Sequence, residues 1–317
     1  MISIQDLSRN YGKTVAVQGV STQIQRGQIV GLLGHNGAGK TTVMKILTGF
    51  LDATSGTVTV DGLDVATDRA AVQQRIGYLP ENAPLYEEML VQEYLCTMAE
   101  LRGVPEANIP SAVGEAVVAT GLQDRLLDPI HTLSKGLRQR VGIAQAIVHK
   151  PAVLVLDEPT NGLDPMQIQA IRTLIKRLGA STTIILSTHI LQEIEAVCDR
   201  VLIMIQGRLV ADKPLRELVH SDRVRFTVPE GTADVAKVVG GVDGIIAVSA
   251  AGGTAGFDAY TARYSSSAPP VPEIIAAATK AGWRLGAVAP EVRTLETVFK
   301  ELQAADVAAR AQAGGDA

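Results

Sequence analysis

The sequence predicts an α/β domain on a mostly parallel sheet, interrupted by a helical insertion and followed by a small α+β domain of ferredoxin-like order. Three observations predict it. Short, nearly continuous apolar runs ("GQIVGLL", "PAVLVLD", "TTIILST") alternate with helical patterns up to residue 213, as strands buried on both faces of a parallel sheet do. From about 82 to 150 the strands stop and helices take over, as in "VQEYLCTMAELRG" and "IPSAVGEAVVATG". From 215 to 303 the order becomes β-α-β-β-α-β.

The strands of that last unit are "DRVRFTV", "GIIAVSA", "FDAYTARY" and "WRLGAVAP", which alternate like half-exposed strands. "TADVAKVVG" and "PEIIAAATKAG" are its helices, and "TLETVFKELQ" is a last helix. No His, Cys or carboxylate cluster marks a metal there, so the unit reads as a dimer-stabilising or regulatory appendage, with Trp283 in its core. The tail from 304 to 317 lacks large apolar residues and is expected to be disordered.

The bulk numbers narrow the function. The 317 residues are 46 % hydrophobic with 3 % aromatic residues, so the cores are aliphatic. A net charge of −4 argues against broad nucleic-acid binding. Cys96 and Cys198 lie in apolar helical surroundings and read as buried, reduced thiols of a cytosolic protein. "MISIQDLSRN" has no signal-peptide pattern. Runs such as "AVLVL" and "VLIMI" fall far short of the ~20 residues a membrane helix needs, so membrane contact is expected only through partners.

"GHNGAGKTT" follows a strand and opens a helix, the setting a phosphate-binding loop requires. Gly34, Gly37 and Gly39 let the backbone of this loop, with Asn36 and Ala38, turn its N–H groups toward a β-phosphate. Lys40 adds charge at the β- and γ-phosphates, Thr41 offers a hydroxyl to Mg²⁺, and Thr42 reaches the α-phosphate. In "AVLVLDEPTNGLDP", Asp157 ends a buried strand where it can hold Mg²⁺ through water. Glu158 beside it is suited to orient or deprotonate an attacking water. "ILSTHI" ends another strand on His189, at the edge where open α/β sheets bind ligands. A second anion site is legible in "HTLSKGLRQRVGIAQAI". That helix opens on Ser134, Lys135 and Gly136 and carries an apolar stripe of Leu137, Val141, Ala144 and Val148.

In order and spacing these motifs resemble an ATP-binding cassette (ABC) ATPase, the motor subunit of an ABC transporter, over residues 1 to 213. The resemblance implies an ABC-type P-loop fold, ATP and Mg²⁺ as cofactors, and roles for each motif. Tyr11 matches the aromatic that stacks on adenine. Gly34 to Thr42 match Walker A, and Asp157 and Glu158 end Walker B. Asn161 to Asp164 match the D-loop, and His189 the switch histidine. "LSKGLRQR" is similar to the ABC signature, which binds ATP held by the other subunit of a head-to-tail dimer. Ser134 and Gly136 would then meet a γ-phosphate resting on the partner copy's Lys40, which answers why one chain needs two phosphate sites.

Two motifs depart from the family. Lys135 and Leu137 replace a Gly and the Gln of the signature, and Glu81 in "IGYLPEN" stands where the Q-loop glutamine belongs. Glu81 can reach Mg²⁺ or its water, yet two like charges about 4 Å apart repel by about 4 kcal/mol at an effective dielectric of 20. "LPENAPLY" with "LSKGLRQR" is similar to a branch serving gliding motility, copper-enzyme maturation and related ABC-2-type export. The resemblance implies a homodimer, cytoplasmic and peripheral on the inner face of the membrane, under separately encoded ABC-2-type permease subunits. Force transmission to an envelope protein without transport, and soluble regulation of ribosomes or DNA, are the alternative functions. The usual paired cassettes or coiled-coil arms of soluble regulators are absent from the sequence.

Overall fold

The computed structural model describes residues 1–254, 256–266 and 268–314, the last six of them as backbone only. The chain divides into two compact units. One holds Met1–Leu215 and the chain from Phe299 onward; the other is Arg216–Val298.

The first unit has two sheets. Its six-stranded sheet runs in the order Arg208–Pro214, Arg200–Ile205, Ile29–Leu33, Thr183–Thr188, Val153–Asp157, Ile76–Leu79. Only the outermost Arg208–Pro214 pairing is antiparallel. The other pairings are parallel. Ile29–Leu33, Val153–Asp157 and Thr183–Thr188 are buried at every residue, which explains their nearly continuous apolar runs. Register then decides where the chemistry sits. Leu33 pairs with Thr188, Asp157 with Ser187, and Leu79 with Leu156, so these strands end together. The segments after them, 34–39, 158–164, 189–190 and 80–90, emerge on one edge.

A second, antiparallel sheet of Thr14–Ile24, Ile2–Tyr11, Ser55–Val60 and Leu63–Asp64 was not foreseen from the sequence. Shifts of register along Ile2–Tyr11 break the two-residue alternation that would have marked it. Its apolar side joins the parallel sheet in one core, through Ile4, Leu7, Val17, Val58 and Val60.

The helical insertion comprises Val91–Leu101, Ile109–Thr120 and Lys135–Ile147, joined by short 3₁₀ turns. Val141, Ala144 and Val148 are buried in its own core and Leu137 packs against them, so the apolar stripe faces inward. Strand Ile76–Leu79 and helix Lys135–Ile147 approach closely at Gly77, where a side chain would run into the Ala146 carbonyl.

In the second unit four antiparallel strands run in the order Ile245–Thr254, Phe257–Tyr264, Arg223–Pro229, Ala287–Pro290. With helices Val235–Gly240 and Val271–Lys280 this is the split β-α-β arrangement expected. Val224, Phe226, Val239, Ala262 and Ile274 form its core, and Trp283 packs on it half-buried. Helix Leu295–Gly314 corrects the expected disordered tail. "AADVAARAQAG" is rich in alanine, the best helix former, so lack of large apolar residues did not end the helix. Residues 315–317 of the expected tail lie outside the described residues. Cys198 is buried and Cys96 half-buried, both with free thiols.

Candidate functional site

The loop between strand Ile29–Leu33 and helix Lys40–Leu47 forms the floor of the site. Gly37 and Gly39 hold φ of 82° and 99°, the left-handed region where side chains are strained. Gly39 also passes against the Ala16 carbonyl, 2.5 Å from where a Cβ would stand, so a larger residue there is excluded twice over. The loop borders a cavity of about 440 Å³ lined by Ala16, residues 36–42, Glu81 and Glu158. Lys40 is buried, and its ammonium donates to the carbonyls of Gly34 at 2.7 Å and His35 at 3.3 Å.

Across the cavity stand the ends of two other strands. Asp157 is fully buried, and its Oδ1 accepts from the hydroxyls of Ser187 and of Thr41, the latter at 3.3 Å. Burial pushes its carboxyl above the usual range, the Ser187 and Thr41 hydroxyls pull it back, and Glu81 and Glu158 push it up further. Its Oδ2 is buried without a hydrogen-bond partner among the described residues. Such an orphaned carboxylate oxygen beside the Thr41 hydroxyl suits a hard cation. Among the described residues no cluster of three or more His, Cys, Asp or Glu is placed to hold a metal alone. The donor set therefore fits Mg²⁺ completed by phosphate and water, as that ion prefers.

Glu158 adopts φ 48°, uncommon for a residue with a side chain. Its N–H donates to Ser187 Oγ at 3.0 Å and Ser187 O at 3.2 Å, which holds the strained turn. The turn aims a buried carboxylate into the cavity. Glu158 Oε1 lies 3.3 Å from Lys40 Nζ, and Oε2 lies 2.9 Å from His189 Nδ1. Oε1 is not aligned for a hydrogen bond with Lys40 and has no other donor among the described residues, so it retains capacity to accept one from water.

Glu81 lines the same cavity, and its Oε1 accepts from Asn161 Nδ2 at 3.3 Å. Gly34, Asn36, Gly37, Ala38, Gly39, Lys40, Thr41, Thr42, Glu81, Asp157, Glu158 and His189 thus belong to one locale. Five predicted residues stand elsewhere in the single chain. Ser134 is exposed and caps helix Lys135–Ile147, its hydroxyl accepting from Leu137 N at 3.3 Å. Lys135 points at Gly162, and Gly136 is packed against Gln167. Asp164 caps helix Pro165–Gly179 through Gln167 N at 2.9 Å. Tyr11 is exposed, with the Arg9 guanidinium 4.9 Å over its ring, and does not line the cavity.

Two residues escaped sequence reasoning. Ser187 holds both Asp157 and Glu158, and a polar residue inside the apolar run "TTIILST" was the available signal. Phe299 sets its ring edge-on to His35 at 5.1 Å, beside the phosphate loop. It lies over 260 positions away in sequence, and no local pattern could have announced the contact.

The chain is similar to known proteins in sequence and in fold. Residues 17–161 match the ABC transporter family. The chain is 37 % identical over 229 residues to the ABC transporter ATP-binding protein NatA of Bacillus subtilis, covering 70 % of this chain and 93 % of that one. It is 36 % identical over 225 residues to the bacitracin transport ATP-binding protein BcrA of Bacillus licheniformis, covering 70 % and 72 %. Among solved structures, cbiO1 from Clostridium perfringens, part of an ABC transporter complex, superposes with a TM-score of 0.62. The two are 33 % identical, over 68 % of this chain and 89 % of that one.

Proposed function

We propose that this chain, which belongs to the ABC transporter family as an ATP-binding subunit, is the Mg²⁺-dependent motor of an ABC-2-type export complex. It works as a head-to-tail homodimer, peripheral on the cytoplasmic face of the membrane, beneath separately encoded permease subunits. Among the described residues no helix is long and apolar enough to cross a membrane. Relatives named for bacitracin and lantibiotic transport support a role in transport. The Glu81 and Lys135 departures favour the branch that serves gliding motility and copper-enzyme maturation.

The observation that carries hydrolysis is the buried Lys40–Glu158 pair, with His189 on the second Glu158 oxygen, at the edge where Asp157 presents an unpartnered oxygen. Backbone N–H groups of the loop and Lys40 hold the β- and γ-phosphates. Thr41 and Asp157, with Glu81 behind them, would hold Mg²⁺, which supplies charge neutralisation of the phosphates when bound. Glu158 accepts the proton of the attacking water as its oxygen bonds to the γ-phosphorus and the bond to ADP breaks. His189 fixes the Glu158 carboxylate and contacts the γ-phosphate. Tyr11 stacks on adenine. Ser134, Lys135 and Gly136 of one copy, with Asp164 close by, complete the site of the other.

Phosphate release by the purified chain tests this. Turnover should require a divalent cation, disappear with chelator, and fall at least about 100-fold in Asp157→Asn. Turnover that persists in chelator, or in Asp157→Asn, contradicts it.

A further inference from the structure

Glu193 is 2 % exposed, and no step of hydrolysis uses it. Its two oxygens are divided between two segments of chain. Oε1 accepts from the hydroxyl of Thr160, in the turn after strand Val153–Asp157. Oε2 accepts at 2.9 Å from the hydroxyl of Thr188, the last residue of strand Thr183–Thr188. Thr188 Oγ1 in turn accepts from Ile190 N at 3.0 Å, so the hydroxyl is used on both sides.

A buried carboxylate held by neutral hydroxyls is a costly choice where a Leu would pack at less expense. What it gains is definition: both hydroxyls are fixed in one arrangement only. Each threonine stands one residue from the site. Asn161 follows Thr160 and donates to Glu81 at 3.3 Å. His189 follows Thr188, and its Nδ1 lies 2.9 Å from Glu158 Oε2. Hydrogen bonds, with the peptide links 160–161 and 188–189 between them, therefore run from Glu81 through Asn161, Thr160, Glu193 and Thr188 to His189 and Glu158.

We propose that Glu193 is a positioning residue, a buried latch that ties the 158–164 turn to His189, so that displacement of Asn161 and Glu81 reaches the hydrolytic pair. Only its kinetic consequence rests on the reading of Glu158 and His189 given above. The latch itself is a structural coupling and can be read without turnover.

The test uses the full chain and the near-isosteric variants Thr160→Val, Thr188→Val and Glu193→Gln, with Glu193→Leu as the complete break. The chain has five histidines, and the His189 imidazole resonance is assigned by its loss in His189→Gln. The expected result is that Thr160→Val, on a different loop, shifts the His189 resonance while that of His131 stays in place. In the kinetic arm, Thr160→Val and Glu193→Leu should each lower kcat roughly tenfold, with KM for MgATP within about twofold. Glu193→Gln, which keeps one acceptor, should recover part of that loss. Thr160→Val added to Glu193→Leu should cost nothing further, because the same link is already broken. If Glu193→Leu does not fold, the two threonine variants carry the same comparison. An unmoved His189 resonance in Thr160→Val overturns the latch, as do additive losses in the double variant. Wild-type chain without ATP turnover, but with the resonance shift, overturns the hydrolytic reading and leaves the latch standing.

Discussion

Glu158 combines three features that packing alone does not require: a left-handed backbone, a buried carboxylate and contacts to both Lys40 and His189. Glu158→Gln keeps size and one acceptor while removing basicity. Nucleotide affinity, measured by equilibrium binding, should stay within about threefold, and turnover should fall at least about 100-fold. Near-normal turnover would remove Glu158 from the role of base. A second titratable residue gives a pH signature unrelated to catalysis. Burial chiefly, with the nearby Arg102 charge, pushes His149 down to about 4. The unfolded imidazole takes up its proton near its ordinary value of about 6.5. Between those values the unfolded chain binds the extra proton, so folding stability is lost as pH falls from about 6.5 to about 4. In His149→Gln the urea midpoint should fall less steeply over that window, and an unchanged slope would assign the loss to other groups. At this scale the sequence was most legible. Asp157, Glu158 and His189 were readable because each lies at the end of a recognisable apolar strand, and Lys40 because it opens the helix after a glycine-rich loop. Ser187 and Phe299 were not, because their roles exist only once strands pair and the C-terminal helix folds back.

The elements were readable where burial is simple and obscure where it is not. Strands buried on both faces leave continuous apolar runs, and the insertion helices keep a clean stripe, so both were visible. The antiparallel sheet was missed because bulges along Ile2–Tyr11 scramble its alternation. Contact between elements is legible in Gly77, which lets strand Ile76–Leu79 lie against the Ala146 carbonyl. Gly77→Ala should destabilise the chain by about 2 kcal/mol or more in urea unfolding, through overpacking against a backbone that cannot yield. A wild-type midpoint would mean that strand and helix separate freely. Asp164→Ala removes the cap of helix Pro165–Gly179 and should cost about 1 kcal/mol in the same measurement.

At the scale of the whole molecule, the two halves of the motif set do not meet within one chain. The phosphate loop and Glu158 line one cavity, with His189 in contact with Glu158, whereas Ser134 and Lys135 lie on the insertion, Ser134 exposed to solvent. That separation was anticipated from the presence of two anion-binding patterns in one sequence, and the proposed head-to-tail dimer accounts for it. Such a dimer makes each site from two copies, so defects in different halves can complement. The direct measurement is ATP turnover by Lys40→Ala chains, by Ser134→Arg chains, and by the two mixed and allowed to exchange. Each variant alone should be inactive, because every site in its homodimer is broken. The mixture should recover activity, since a heterodimer pairs the intact Lys40 of one chain with the intact Ser134 of the other. Wild-type turnover by Ser134→Arg alone, or a mixture as inactive as its parents, would contradict the composite site.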